Sequence, residues 1–174
     1  MPKPILAVCL DCGDTLIDEG TEIRNADGIV VEAELIPTAA DLMHALTEAG
    51  YRLALVADGY TQSFRNILGK PELWDLFEVY AISDALGVEK PHPKMFHTAL
   101  EQLGIPESDY GQVVMVGNNL ERDIKGANEL GIVSVFLSWS SRRSKTPRDA
   151  SEQPDYTINL PIELIDVLRQ IEAA

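Results

Sequence analysis

The most informative segment of the chain is Ile5-Leu6-Ala7-Val8-Cys9-Leu10-Asp11-Cys12-Gly13-Asp14-Thr15. It begins with a run of apolar residues, as expected of a strand that is buried on both faces of a sheet, and a carboxylate follows directly. Similar apolar runs recur along the chain, at 52–57, 113–116 and 133–137 and, more weakly, at 79–82 and 156–158. Amphipathic segments separate most of these runs. The alternation predicts an α/β fold with a doubly wound parallel sheet, formed by a single domain over residues 1–174.

Four helices are predicted from their apolar spacing and their ends. The segment 38–49 begins with Thr-x-x-Asp, which is typical of a capping box, and ends at Gly50. The segments 93–103 and 121–130 also end just before a glycine. A further amphipathic helix is predicted at 161–171.

Two segments interrupt this alternation. Residues 21–36 alternate in polarity around the turn Asn25-Ala26-Asp27-Gly28, which predicts a β-hairpin within a flap at about 17–36. Residues 138–154 have no period and are longer than most loops of compact domains, which rarely exceed ~12–15 residues. An irregular functional or disordered loop is therefore expected at about 138–155.

Composition limits the classes of function. The chain is 45% hydrophobic and 24% charged, as in soluble globular proteins, and has no apolar run of about 18 residues. No signal-peptide pattern follows its start, so a cytoplasmic location is expected. The formal net charge of -14 argues against binding duplex nucleic acid, whose phosphates require basic patches.

The two cysteines, Cys9 and Cys12, form a lone C-x-x-C pattern. Two thiols cannot complete a structural zinc site by themselves. A redox pair and simple core packing both stay open, and packing is favoured for Cys9 because it lies inside an apolar strand.

Polar residues follow several predicted strands at the point where each strand ends. Ligands of open parallel sheets bind at that edge, so these residues are expected to share one site. The set comprises Asp11, Asp14, Asp58, Gly59, Asn118, Asn119 and Asp123, and Lys90 stands before the helix at 93–103.

Together these segments resemble the motifs of the haloacid dehalogenase (HAD) superfamily, most of whose members are phosphatases that form an aspartyl-phosphate. The matching segments are Val8–Leu16, Leu53–Gly59, Gly87–Pro93 with Phe96, and Met115–Asn119 through Asp123, Ala127 and Gly131. The resemblance covers essentially the whole chain. It implies a Rossmann-like HAD-type fold and a hydrolase acting on phosphoric monoesters.

The resemblance also implies roles for individual residues. Asp11 corresponds to the nucleophile, and Lys90 balances the charge of Asp11 and of the phosphoryl group. A Mg²⁺ ion is implied at the Asp11 carboxylate, the Gly13 carbonyl and Asn118, with Asp123 supporting it. The charges argue for such an ion independently, because two like charges 4 Å apart repel by ~4 kcal/mol at an effective dielectric near 20.

Three positions depart from the family pattern. Gly13 stands where a second aspartate usually acts as general acid and base, which leaves Asp14, one residue later, as the candidate. Ala57 replaces a hydroxyl that usually binds phosphate, so the backbone N–H groups of Asp58 and Gly59 are expected to bind the anion instead. Asn118 replaces an aspartate, which predicts weaker metal binding.

These departures keep a second hypothesis open, a catalytically weak or inactive module that binds phosphate or a protein. Haloacid dehalogenation is less favoured, because the segment after Leu16 is too short for the helical cap domain of such enzymes.

Without a cap, the site is expected to be open to a phosphorylated small molecule or a phosphoprotein, and an oligomer is not excluded. Arg142, Arg143 and Lys145 are hypothesised to attract that substrate, the alternative being a solvated surface loop.

Overall fold

The computed structural model describes residues 3–174. Its main sheet has six strands, all parallel, in the order β5-β4-β1-β6-β7-β8. The strands are β1 (Ala7–Leu10), β4 (Leu53–Ala57), β5 (Val79–Ile82), β6 (Val113–Gly117), β7 (Val133–Leu137) and β8 (Tyr156–Ile158). The predicted doubly wound parallel sheet is confirmed, and each predicted strand is present with ends shifted by two residues at most.

Helices cover both faces of this sheet. They are α1 (Ala39–Glu48), α2 (Thr61–Gly69), α3 (Ser83–Leu86), α4 (Pro93–Gln102), α5 (Lys125–Glu129) and α6 (Leu164–Ala173). In β1, Val8 and Leu10 point into the core beneath α1, α2 and α6, whereas Ala7 and Cys9 point into the core beneath α4. Both faces are buried, which explains why the strands read as continuous apolar runs.

Several local predictions were wrong or incomplete. The expected capping box at Thr38 does not form, because Thr38 has a left-handed backbone (φ 69°) and its Oγ1 accepts a hydrogen bond from Ile162 N (3.1 Å). The segment predicted as one helix at 121–130 is a π-helical turn, Leu120–Ile124, followed by the short α5. The helices α2 and α3 were not predicted.

The hairpin is confirmed. Its strands β2 (Ile23–Arg24) and β3 (Val30–Glu32) are antiparallel, and Gly28 in the turn has a φ of +79°. Val30 attaches the hairpin to α2: its N–H donates to Ser63 Oγ (2.9 Å), and its carbonyl accepts from Asn66 Nδ2 (3.0 Å). Between β1 and α1 the described chain therefore contains this hairpin and no helical cap.

The loop at 138–154 follows the carboxyl end of β7 and contains only a short 3₁₀ turn, Ala150–Glu152.

Both cysteines are free and fully buried. Burial raises the pKa of Cys9 to about 12, which supports core packing over a redox pair. Across residues 3–174, the helices are all too short or too polar to cross a membrane.

Candidate active site

A cavity of about 310 Å³ opens at the carboxyl ends of β1, β4 and β6. Its size suits a small ligand, since such sites commonly measure ~300–1,000 Å³. The sheet contributes the floor, and the hairpin, α2 and the 138–154 loop contribute the walls. The lining includes Asp11, Gly13, Glu19, Glu22, Arg24, Val30, Asp58, Gly59, Lys90, Asn118, Asn119, Arg122, Asp123 and Arg143.

Lys90 lies at the bottom of the cavity and is only 2% exposed. Its Nζ is 3.0 Å from Asp11 Oδ1 and 2.7 Å from Asp123 Oδ1, and it donates to the Val56 carbonyl (2.6 Å). Burial alone would lower the pKa of Lys90, but the carboxylates of Asp11 and Asp123 outweigh that effect and hold the pKa above its ordinary value. Lys90 is therefore a fixed cation next to the Asp11 carboxylate.

The other oxygen of Asp11 faces Asn118 and the Gly13 carbonyl. The side-chain amide of Asn118 lies 3.2 Å from Asp11 Oδ2 and 3.2 Å from Gly13 O. With its nitrogen on this side, Asn118 donates hydrogen bonds to both oxygens. With its oxygen on this side, three oxygen atoms converge on one point, which is the ligand type that Mg²⁺ prefers. The residues present thus fit a Mg²⁺ ion, although only one of the three groups carries a charge.

Asp123 is almost fully buried, and its carboxylate does not join the oxygen atoms of Asp11, Gly13 and Asn118. One of its oxygens faces Lys90, and the other accepts from Asn119 N (3.0 Å). Glycine at position 117 leaves room for the Asp123 carboxylate, because a Cβ at position 117 would overlap that carboxylate. Burial, together with the nearby Asp11, raises the pKa of Asp123. Asp123 is therefore a charge partner of Lys90. Among residues 3–174, no group of three His, Cys, Asp or Glu side chains forms a metal site.

The predicted phosphate-binding segment after β4 is largely occupied by other contacts. The Asp58 carboxylate accepts hydrogen bonds from Lys90 N (2.9 Å) and from Arg122 (3.2 Å). Gly59 N donates to Ser83 Oγ (2.8 Å), which contradicts its predicted role as an anion donor. Ala57 is fully buried and offers no polar side-chain atom.

Asp14 is placed differently from its predicted role. It is fully buried in a left-handed conformation (φ 51°) and does not line the cavity. Its two oxygens accept from Arg142 Nε and Nη2 (2.8 Å each), and Oδ1 also accepts from Glu19 N (3.1 Å). Burial opposes ionisation, but the bonds from Arg142 lower the pKa of Asp14. We therefore do not retain Asp14 as the acid or base.

The three basic residues Arg142, Arg143 and Lys145 of the 138–154 loop do not form one cluster. Arg142 is committed to Asp14 and Asp18, whereas Lys145 lines a separate depression. Arg143 alone of these three reaches the cavity, where its Nη2 is 3.7 Å from Glu19 Oε1. The hypothesis that all three residues attract substrate is narrowed to Arg143.

Glu19 is a cavity residue that sequence reasoning missed. It begins a 3₁₀ turn, Glu19–Thr21, and its carboxylate lies where a side chain at position 13 would begin. Burial and the nearby Asp14 raise the pKa of Glu19. The absence of a side chain at Gly13 was the one signal in the sequence, because it left a space that another residue had to fill.

Comparisons with known proteins identify the family to which this chain belongs. A family model described as haloacid dehalogenase-like hydrolase matches residues 15–131. Glyceraldehyde 3-phosphate phosphatase of Methanopyrus kandleri is 35% identical over 139 residues, which cover 79% of this chain and 56% of that protein. The protein of the same name from Pyrococcus abyssi is 38% identical over 60% of this chain and 42% of its own. The chain thus spans about half the length of these relatives.

A solved structure agrees at the level of the fold. The HAD phosphatase from Thermococcus onnurineus has a TM-score of 0.75 at 21% identity, covering 94% of this chain and 97% of that one. This chain belongs to the haloacid dehalogenase-like hydrolase family. Phosphatases of this family generally act through an aspartyl-phosphate and use Mg²⁺.

Proposed function

We propose that this chain is a Mg²⁺-dependent phosphatase that transfers the phosphoryl group of a small phosphate monoester to Asp11 and then hydrolyses the aspartyl-phosphate. The observation that carries this proposal is the pairing of Asp11 with the buried Lys90, at 3.0 Å, inside a cavity large enough for such a substrate. A carboxylate nucleophile divides a very slow hydrolysis into two easier displacements.

In the first displacement, an Asp11 oxygen forms a bond to phosphorus while the bond from phosphorus to the substrate alcohol breaks. Lys90 Nζ is already positioned next to Asp11 and offsets part of the charge that Asp11 and the phosphoryl oxygens bring together. In the second displacement, water attacks phosphorus, releases inorganic phosphate and restores the Asp11 carboxylate.

The candidate ligands for Mg²⁺ are Asp11, the Gly13 carbonyl and Asn118, which lie on the side of Asp11 away from Lys90. When bound there, Mg²⁺ would supply positive charge next to the phosphoryl oxygens. Asp11 would then have a cation on each side, Lys90 and the bound Mg²⁺. Asp123 holds Lys90 in place rather than binding the metal directly.

The substrate class is inferred from the cavity and the relatives. Among the arginines of the lining, Arg143 lies 3.7 Å from Glu19 and is able to bind an anionic group. Arg24, by contrast, is paired with Glu22 (2.6 Å) and donates to the Gly28 carbonyl (3.0 Å). The two relatives described above are named as phosphatases of glyceraldehyde 3-phosphate, a small phosphate monoester. We therefore favour a phosphorylated small molecule over a phosphoprotein.

One set of observations favours a catalytically weak phosphate-binding module as the second candidate. Ala57 provides no hydroxyl, Gly59 N is already bonded to Ser83, and Asn118 lacks a charge. A binding module would retain affinity for phosphate without turning it over.

The test is phosphate release from a panel of small monoesters that begins with glyceraldehyde 3-phosphate. It is run with Mg²⁺, with EDTA, and with Asp11→Asn. Asp27→Asn, which removes one exposed charge in the hairpin turn, is the matched control. We expect hydrolysis that requires both Mg²⁺ and Asp11 and is unchanged in the control. No hydrolysis, with beryllium fluoride still bound to the folded protein, would favour the binding module instead.

A further inference from the structure

The space beside Gly13 is filled by a side chain from elsewhere in the chain. Gly13 lies two residues after Asp11 and lines the same cavity. A Cβ built on Gly13 would overlap Glu19 Oε1 and would lie 3.0 Å from Glu19 Cδ and 3.1 Å from its Cγ. A carboxyl group is therefore present beside position 13, although position 13 itself has no side chain.

The position of Glu19 is fixed by its backbone. Its N–H donates to Asp14 Oδ1 (3.1 Å), and Arg142 holds Asp14 from the other side with two bonds of 2.8 Å. Asp18, the residue before the turn, accepts from Gly20 N (2.9 Å). The buried Asp14, held by Arg142, thus positions the turn from which Glu19 extends into the cavity.

Glu19 is an accessible carboxyl group on this side of the cavity. Its side chain is 30% exposed, whereas that of Asp14 is fully buried and occupied by Arg142. Its nearest cation is Arg143, at 3.7 Å, and this distance is too long for a direct hydrogen bond. The Glu19 carboxyl group is therefore free to contact a bound substrate.

We propose that Glu19 is the acid and base of the phosphatase reaction, in place of the side chain that Gly13 lacks. This inference rests on the function proposed above. As the bond from phosphorus to the leaving oxygen breaks, the proton of the Glu19 carboxyl group passes to that oxygen and completes the alcohol. As water attacks the aspartyl-phosphate, Glu19 takes a proton from it, the bond from phosphorus to Asp11 breaks, and Glu19 is protonated again.

The first test uses two leaving groups. Glu19→Gln keeps the size of the side chain but removes the transferable proton. For an alkyl phosphate, whose leaving oxygen needs a proton, kcat/KM should fall by about 10²–10⁴-fold. For dinitrophenyl phosphate, whose leaving group departs as an anion, kcat/KM should change by less than about threefold. Glu32→Gln, the same change on the exposed hairpin strand, should alter neither value.

The second test moves the carboxyl group to the usual position. Glu19→Ala should lose activity on the alkyl phosphate, and the double variant Gly13→Asp/Glu19→Ala should regain at least part of it. Gly13→Asp alone should not gain activity, because the new side chain would collide with Glu19. Circular dichroism and the unfolding midpoint show whether each variant is folded.

The outcomes separate the two proposals. An unmodified chain that hydrolyses neither ester would overturn the phosphatase and, with it, the role of Glu19. An active chain in which Glu19→Gln lowers kcat/KM equally for both esters would overturn the role of Glu19 alone. A selective loss for the alkyl ester, recovered in the double variant, would support it.

Discussion

Lys90 is buried between Asp11 and Asp123, with its ammonium group 3.0 and 2.7 Å from their carboxylates. The Lys90 ammonium group is thus the positive partner of both carboxylates. A lone buried charge is costly, so the loss of this cation should affect stability as well as catalysis.

Lys90→Met should therefore lower the free energy of unfolding by about 3–5 kcal/mol, because two carboxylates lose their partner. Adding Asp123→Asn should recover part of this loss, because it removes one of the two uncompensated charges. Urea unfolding of both single variants and the double variant measures the coupling. Strictly additive losses would contradict the charge balance described here.

Asn118 determines how much negative charge meets the metal. Asn118→Asp adds a carboxylate beside Asp11 and the Gly13 carbonyl, so Mg²⁺ affinity should rise by roughly 10- to 100-fold, which corresponds to ~1.4–2.7 kcal/mol. Without Mg²⁺, the same variant should be less stable than the unmodified chain, since it adds repulsion with Asp11. A Mg²⁺ titration by calorimetry and by activity tests the first point, and unchanged affinity would place the metal elsewhere.

Some of the site could be predicted residue by residue. Asp11, Lys90 and Asn118 follow or precede regular elements at recognisable spacing, and the structure brings them together. Glu19 could not be predicted in this way, because its position depends on a turn fixed by Asp14 and Arg142, which are 128 residues apart. The spacing of residues within a short segment gives no indication of a contact between residues so far apart in the sequence.

At the scale of elements, the pair Asp14–Arg142 joins the turn after β1 to the loop at 138–154. Removing either partner should loosen both segments. Asp14→Asn should lower the free energy of unfolding near pH 7 by about 1–3 kcal/mol, because the buried Asp14 side chain loses its charge-assisted bonds to Arg142.

The same pair predicts a pH dependence. The folded-state pKa of Asp14 is lowered, so its contribution is complete above the ordinary aspartate pKa of about 3.9 and is lost as the pH falls through the folded-state value. The difference between the unmodified chain and Asp14→Asn in urea unfolding should therefore stay nearly constant from pH 7 to about pH 5 and shrink below about pH 4. A difference that stays constant below about pH 4 would show that the charge of Asp14 is not what matters.

The elements themselves were largely predictable, with instructive exceptions. The strands were recognisable because burial on both faces requires continuous apolar residues. The cap of α1 was not, because Thr38 uses its hydroxyl to bind Ile162 N, a tertiary contact that replaces the local one. In α2, the buried Phe64, Ile67 and Leu68 do follow helical spacing, but no side-chain cap marks its start.

At the scale of the whole molecule, strand order explains why distant residues share one site. β1 lies between β4 and β6, so the segments that follow these three strands meet at one edge of the sheet. This meeting was predictable from the strand pattern. The cavity walls were not, since they depend on how the hairpin packs on α2 and how the long loop crosses the sheet end.

In the proposed reaction, Asp11 carries the phosphoryl group during turnover. The most direct measurement is rapid acid quenching with substrate and Mg²⁺, followed by mass spectrometry of the peptide that contains Asp11. We predict one phosphoryl group on Asp11, formed within the time of one turnover and absent in Asp11→Asn. Continued phosphate release by Asp11→Asn, or turnover in which no peptide becomes phosphorylated, would contradict the account.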